Sequence, residues 1–207
     1  MQATHPMRIV RLSADHAEPY RQLMLEAYEL AADAFTSTPE ERATEPLSWW
    51  IKRIDDPHGL SAAFGAFDGD DLVGTVALEF SAKPKTRHKA LVIGMYVRPA
   101  CRGTGAGKAL LAAAIAHAQA QPGLLVVQLT VTQGNESAIN LYKAAGFEVF
   151  GTEPMAILTP SGFKGKLHMW KSLQEFIARR EQREVPDLIG KLDWDHSFNH
   201  KAERSRK

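Results

Sequence analysis

Arg102-Gly103-Thr104-Gly105-Ala106-Gly107-Lys108 sets three glycines at alternate positions between two bases. Glycine lets a backbone approach a ligand where a Cβ would block it, and bases answer negative charge, so the pattern suits phosphate. A nucleoside-triphosphate loop reads G-x-x-x-x-G-K-[ST]. Here Arg102 stands where its first glycine belongs and Ala109 where its metal-binding hydroxyl belongs. A dinucleotide loop reads G-x-G-x-x-G. Gly103 and Gly105 match it, but Lys108 takes the third glycine's place, and no acid lies near Leu124 to Gln128 to hold a ribose. What remains is [QR]-x-x-G-x-[GA] in Arg102, Gly105 and Gly107. At a strand-to-helix turn, its amides and the positive end of the helix dipole suit a pyrophosphate. The same hexapeptide also fits a tight turn that holds no ligand.

The elements that must position this loop can be read from hydrophobic period and turn chemistry. Met7 to Leu12 reads as a strand, and Ala14 to about Phe35 as a helix with apolar residues every three or four. Thr38, Pro39 and Glu41 form an N-cap, N1 and N3 set that starts a second helix. Further helical turns surround Leu47 to Ile51. Ala62–Phe67 and Leu72–Phe80 flank the turn Asp68-Gly69-Asp70-Asp71 as a hairpin. A strand at Ala90–Val97 leads into the loop, and Lys108 to Gln119 is an Ala/Leu-rich helix stopped by Pro122-Gly123. Leu124–Val131 is apolar enough for a strand covered on both faces. Asn135 to Ala145 reads as a helix closed by Gly146, Phe147 to Gly151 as a strand, Pro160 to Gly165 as a loop and Lys166 to Trp170 as the last strand.

The chain has 207 residues, a formal net charge of +1 and a single cysteine, Cys101. That length suits one domain with an extension, and near-neutrality gives no bulk attraction to nucleic acid or to a membrane surface. One cysteine excludes an internal disulfide and a cysteine-based zinc site, and no metal is expected. Cys101 sits near a helix start, which favours thiolate, but no His adjoins it and it reads as filler. The first residues lack the apolar core of a signal peptide and no apolar run can span a bilayer, so the expected setting is cytoplasmic. The division expected is a domain over 1–172 and a helical, polar extension over 173–207.

A second segment, Asn135-Glu136-Ser137-Ala138-Ile139-Asn140-Leu141-Tyr142-Lys143-Ala144-Ala145-Gly146-Phe147, follows the strand after the loop. Together with Val97–Leu111 it resembles the GNAT superfamily of N-acetyltransferases, and the resemblance runs from about Arg8 to Lys171. It implies an α+β fold: a mixed central sheet of about six or seven strands flanked by helices, with the fourth and fifth strands splayed. It implies acetyl-CoA as co-substrate, with Met95, Tyr96, Val97, the loop Arg102, Gly103, Thr104, Gly105, Ala106, Gly107, Lys108, and Asn135 as its contacts. For Met95 and Val97 only main-chain atoms are needed, and their side chains read equally as core. Asn135 matches the asparagine that bonds the cofactor arm, and it reads equally as a helix N-cap. Arg98 is a further phosphate candidate.

By the same resemblance Tyr142 lies near the thioester sulfur, where a phenol gives a proton to the departing thiolate or holds it by a hydrogen bond. The reaction implied is attack by a neutral amine, with the oxyanion held by backbone amides of the splayed strand. Some relatives place a glutamate on the fourth strand as base. Here His88 to Val97 holds no carboxylate, which leaves Glu79 on the neighbouring strand and His88 as candidates through water. The acceptor pocket is implied at about Glu26–Trp50 and Thr159–Gly165. The carboxylates Glu26, Glu29, Asp33, Glu40, Glu41 and Glu45, with Trp49 and Trp50, would receive a cationic amine, or they form a solvated face over two core tryptophans. A small-molecule amine is the first expectation. A protein or peptide N-terminus is the second, and a non-catalytic acetyl-CoA-binding module stays open. A homodimer is also expected.

Overall fold

A computed structural model of the chain describes residues 7–174. The expected extension therefore lies almost wholly outside the described residues. Seven strands form one sheet in the order β1-β2-β3-β4-β5-β7-β6. They are β1 (Arg8–Arg11), β2 (Ser61–Asp68), β3 (Asp71–Phe80), β4 (Lys89–Val97), β5 (Val126–Thr132), β6 (Glu148–Thr159) and β7 (Gly162–Ser172). Every neighbouring pair is antiparallel except β4 and β5. The helices are α1 (Ala17–Leu30), α2 (Pro39–Ala43), α3 (Leu47–Ile54), α4 (Ala106–Gln119) and α5 (Glu136–Ala144). This is the α+β arrangement expected.

Side-chain alternation along the central strands divides the core into two layers. Ala62, Phe64 and Ala66 of β2 with Val76 and Leu78 of β3 pack with Leu110, Leu111 and Ala114 of α4 and Ile139 and Tyr142 of α5. Ala63, Phe67 and Ala77 face the other way, onto Tyr20, Leu23 and Met24 of α1 and Trp50 and Ile54 of α3. A strand period of two against helix stripes of three and four makes this a three-layer stack. The thread of α2 begins as expected: Thr38 Oγ1 accepts from the Glu41 amide at 3.3 Å, and the Thr38 amide donates to Glu41 Oε2 at 3.0 Å.

Two expectations change. The first helix is shorter than the period indicates, since short 3-10 turns occupy 14–16 and 32–34 on either side of α1. The last hairpin is longer. Its strands meet at a turn of only Pro160 and Ser161, and Pro154 is absorbed by irregular pairing between Glu153 and Ile157, where Met155 takes φ of +51°. Gly165, read as loop, is a strand residue at a close approach: a Cβ there would lie 2.9 Å from the Glu153 carbonyl oxygen.

Candidate functional site

β4 and β5 pair over three residues only, from Lys89 opposite Val126 to Leu91 opposite Gln128. Beyond them the strands part, and β4 keeps β3 alone as a neighbour to Val97. The parting coincides with a bulge in β4. Thr75 faces Tyr96 and Ala77 faces Ile93, so Gly94 and Met95 have no partner residue on β3. A bulge bends and twists its strand, and Gly94 allows it by taking φ of +60°. Gly94→Ala is expected to lose about 1–2 kcal/mol of stability through left-handed strain. Its urea-denaturation midpoint, compared with that of Gly151→Ala, where φ is ordinary and the Cβ meets nothing within 4 Å, checks this.

A cleft of about 910 Å³ opens on one side of the gap. It is lined by Met95–Val97, by every residue of Arg102–Lys108 except Thr104, and by Asn135 at the start of α5. Thr104 instead donates its hydroxyl to the Cys101 carbonyl at 2.8 Å. Gly103 and Gly105 take φ of +78° and +89°. Gly105 is the N-cap of α4, and no side chain among the described residues caps that helix. The first amide to bond back is that of Ala109, to the Gly105 carbonyl at 3.0 Å. The amides of Ala106, Gly107 and Lys108 are thus the orphan donors of an uncapped helix start. Arg102 anchors the loop: its Nε donates to the Val97 carbonyl at 3.0 Å, and its guanidinium lies 6.0 Å from the Tyr96 ring centroid. Asn135 is the N-cap of α5, its Oδ1 accepting from the Ala138 amide at 3.2 Å. Met95 and Val97 pack their side chains against the α4 side of the core.

A smaller cavity of about 270 Å³ lies on the α1 and α3 side. Ala34, Phe35, Met95, Thr132, Asn135 and Ala138 line both spaces, so the two meet across the gap between β4 and β5. Tyr142 and Glu79 both line the cavity. Tyr142 is 6% exposed, its ring meets Phe147 edge-on at 5.9 Å, and burial pushes its phenol up to about 12. At neutral pH it is a hydrogen-bond donor.

The structure does not bring His88 to the site. His88 precedes β4 at the closed end, where its carbonyl accepts from the Leu125 and Val126 amides at 2.8 and 3.1 Å, and it lines neither space. Parallel pairing begins one residue after it, so the strands are still joined there. Of the six carboxylates in the expected acidic reception area, three are taken by cations of the chain. Glu26 binds Arg98 at 2.9 Å and accepts from the Tyr96 hydroxyl at 3.2 Å, which removes Arg98 from the phosphate candidates. Asp33 pairs with Lys164, Glu45 with Arg42 at 3.3 Å, and Glu41 caps α2. Trp50 is fully buried in the core. Arg42, Arg53 and Lys166, which sequence reasoning did not single out, line the cavity instead. The only sequence signal for Arg53 is its place one helical turn after Trp49.

All four tyrosines are held above their ordinary range near 10, with burial the largest cause in each. The unfolded chain releases these protons near pH 10 while the folded chain keeps them, so stability falls as pH rises beyond that point. The urea midpoint is expected to hold to about pH 9 and to decline between about 10 and 12.

The sequence model of the Acetyltransferase (GNAT) family matches residues 24–147. A mycothiol acetyltransferase of Streptomyces scabiei is 34% identical over 134 residues, which cover 60% of this chain and 39% of that protein. The L-amino acid N-acetyltransferase AaaT of Escherichia coli is 30% identical over 103 residues, covering 50% of this chain and 62% of that one. The chain thus spans less than two thirds of the length of either relative. In structure it is similar to a GNAT phosphinothricin acetyltransferase of Sinorhizobium meliloti solved with AcCoA. The TM-score is 0.71 at 21% identity, covering 84% of this chain and 92% of that one. At that identity the likeness is one of fold. Among the described residues no helix is long and apolar enough to cross a membrane, and no cluster of three or more His, Cys, Asp or Glu side chains could hold a metal ion.

Proposed function

The chain belongs to the acetyltransferase (GNAT) family, and from that premise we propose that it is an acetyl-CoA-dependent N-acetyltransferase acting on the primary amine of a small molecule, with residues 1–172 as its catalytic domain. The observation that carries this reading is the meeting of cleft and cavity at the parted strands, with an uncapped helix start lining the cleft and Tyr142 lining the cavity.

The residues present fit such a co-substrate. Past Leu91 the β4 edge has no β5 partner, so its free amides and carbonyls can take an extended arm as an added strand. The orphan amides of Ala106, Gly107 and Lys108, with the α4 dipole, suit a pyrophosphate. Arg102 keeps its terminal amino groups for phosphate because only its Nε is used by Val97. When bound, acetyl-CoA supplies an electrophilic thioester carbonyl and a thiolate leaving group.

The chain's own residues do the rest. Backbone amides of Gly94 and Met95, left without partner residues on β3, are donors for the charge that develops on the carbonyl oxygen. Tyr142 Oη, held at about 12, keeps its proton against an ordinary thiol near 8.5. It therefore serves the thiolate as a hydrogen-bond donor, since full transfer runs uphill by about 3–4 pKa units. Glu79 is exposed at the cavity rim and takes the proton of the incoming ammonium through water.

Calorimetric titration of the protein with acetyl-CoA, beside ATP and NAD, tests the cofactor, and thiol release over an amine panel tests the reaction. Saturable binding of acetyl-CoA alone is expected. Gly105→Val, which forces a β-branched residue to φ of +89°, should raise its Kd about 30-fold, equivalent to about 2 kcal/mol of strain. Binding of ATP in place of acetyl-CoA would overturn the reading, and acetyl-CoA binding with no amine-dependent thiol release would reduce it to a binding module.

A further inference from the structure

The cavity on the α1 and α3 side presents three cations, Arg42, Arg53 and Lys166, against one carboxylate, Glu79. Cations withdrawn from water are ordinarily paired, because desolvation is costly without an opposite charge. Arg42 is partnered: it donates to Ser37 Oγ at 2.8 and 3.0 Å and to Glu45 at 3.3 Å. Arg53 and Lys166 have no carboxylate within 4.0 Å among the described residues. Arg53 Nε is buried and has no hydrogen-bond partner among the described residues.

Local structure aims this charge. Trp50 and Ile54, four apart on α3, are fully buried in the core, which leaves Trp49 and Arg53 paired on the adjoining face. The Trp49 ring lies 4.9 Å from the Arg53 guanidinium and 4.7 Å from that of Arg42, so one indole positions both forks. An arginine fork matches a carboxylate in two parallel hydrogen bonds.

We infer that the acceptor carries a carboxylate beside its amine, as an amino acid does, and that Arg53 reads that carboxylate, with Arg42, held by Ser37 and Glu45, adding positive charge beside it. The inference rests on the acetyl-transfer reading above. Lys166, on the β7 wall of the same cavity, adds to its positive field. Glu79 is the lining carboxylate left for the ammonium end. The volume of about 270 Å³ is below the roughly 300–1,000 Å³ of drug-sized sites and suits an acceptor of amino-acid size.

The test is kcat/KM by thiol release for L-amino acids, each beside the amine that lacks only the carboxylate: leucine with isopentylamine, phenylalanine with phenethylamine. Rates are compared per neutral amine. The amino acid of the best pair is expected to lead by about 100-fold, as where a site's polar groups are left unpaired by the analogue. Arg53→Gln should cut that ratio at least 30-fold and Arg53→Lys by less, because a lysine keeps the charge but not the fork. Arg42→Gln provides a second variant if loss of the Trp49 stack unfolds the first, and it too should cut the ratio. Lys85→Gln, in the turn before β4, should keep it. Equal turnover of both members of each pair, or a ratio that survives both arginine variants, would overturn the inference and leave acetyl transfer standing. If no amine releases thiol although acetyl-CoA binds, the acetyl-transfer reading falls separately. Calorimetry of leucine and phenylalanine against the CoA-loaded protein then decides the inference: binding that Arg53→Gln or Arg42→Gln abolishes supports it, and no binding overturns it.

Discussion

Tyr142→Phe is expected to lower kcat about 100-fold while leaving the calorimetric Kd for acetyl-CoA within about twofold. The substitution removes one oxygen and little else. The ring is buried between α5 and the sheet and meets Phe147 edge-on, so a phenylalanine keeps the packing and the fold. What is lost is the proton held at Oη. A hydrogen bond to a charged acceptor is worth about 1.5–3 kcal/mol, and its growth as charge develops on the leaving group places the loss in kcat rather than in KM. Burial pushes the phenol up to about 12, so it stays protonated through the ordinary assay range. Wild-type kcat should therefore show no alkaline decline from this group between about pH 7 and 10. A variant whose kcat stays within threefold of wild type would remove Tyr142 from the chemistry.

Glu79→Gln is expected to lower kcat/KM about 100-fold at pH 7 and to lose progressively less as pH rises. The amine must be neutral to attack, and most of it is protonated at pH 7, since α-amines titrate near 8 and alkyl amines near 10. With a carboxylate at the cavity, the ammonium can bind and surrender its proton there. Without one, the protein depends on the neutral fraction in solution, which grows about tenfold per pH unit until the amine's own pKa. The sign is therefore fixed: log kcat/KM of the variant should climb with a slope near one and approach wild type in base. Because Glu79 stands on β3, opposite Leu91 where β4 and β5 are still paired, a water must bridge it to the amine. A uniform loss at every pH would show that Glu79 acts on neither the charge nor the proton of the amine, and would remove it as the base.

How much of this was open to the sequence depends on the distance over which each feature is built. The Arg102–Lys108 loop, the Asn135 cap and the Asp68–Asp71 turn rest on neighbouring residues, whose φ preferences and orphan amides need no tertiary context. The two-layer core was equally open, since alternation in β2 and β3 assigns each side chain a face. The length of the last hairpin was not, because Gly165 reads as a loop residue and the strand before it reads only to Gly151, and pairing of β6 with β7 and of Gln133 with Gly165 extends both. His88 and Glu79 looked alike as candidates. Period says which face a residue takes, but not where two strands stop pairing, and that point separates them.

The sequence by itself determined a glycine-rich helix start followed by a tyrosine-bearing helix, because both are written within a dozen residues of chain. Tertiary structure alone decided which charges remained available. Glu26 went to Arg98, Asp33 to Lys164 and Glu45 to Arg42, while Arg53 and Lys166 came to line the cavity that Glu79 also lines, neither of them with a carboxylate of the described residues within 4.0 Å of its nitrogens. Ion pairing acts over a few ångströms of space, and α3 and β7 are brought that close only by the fold.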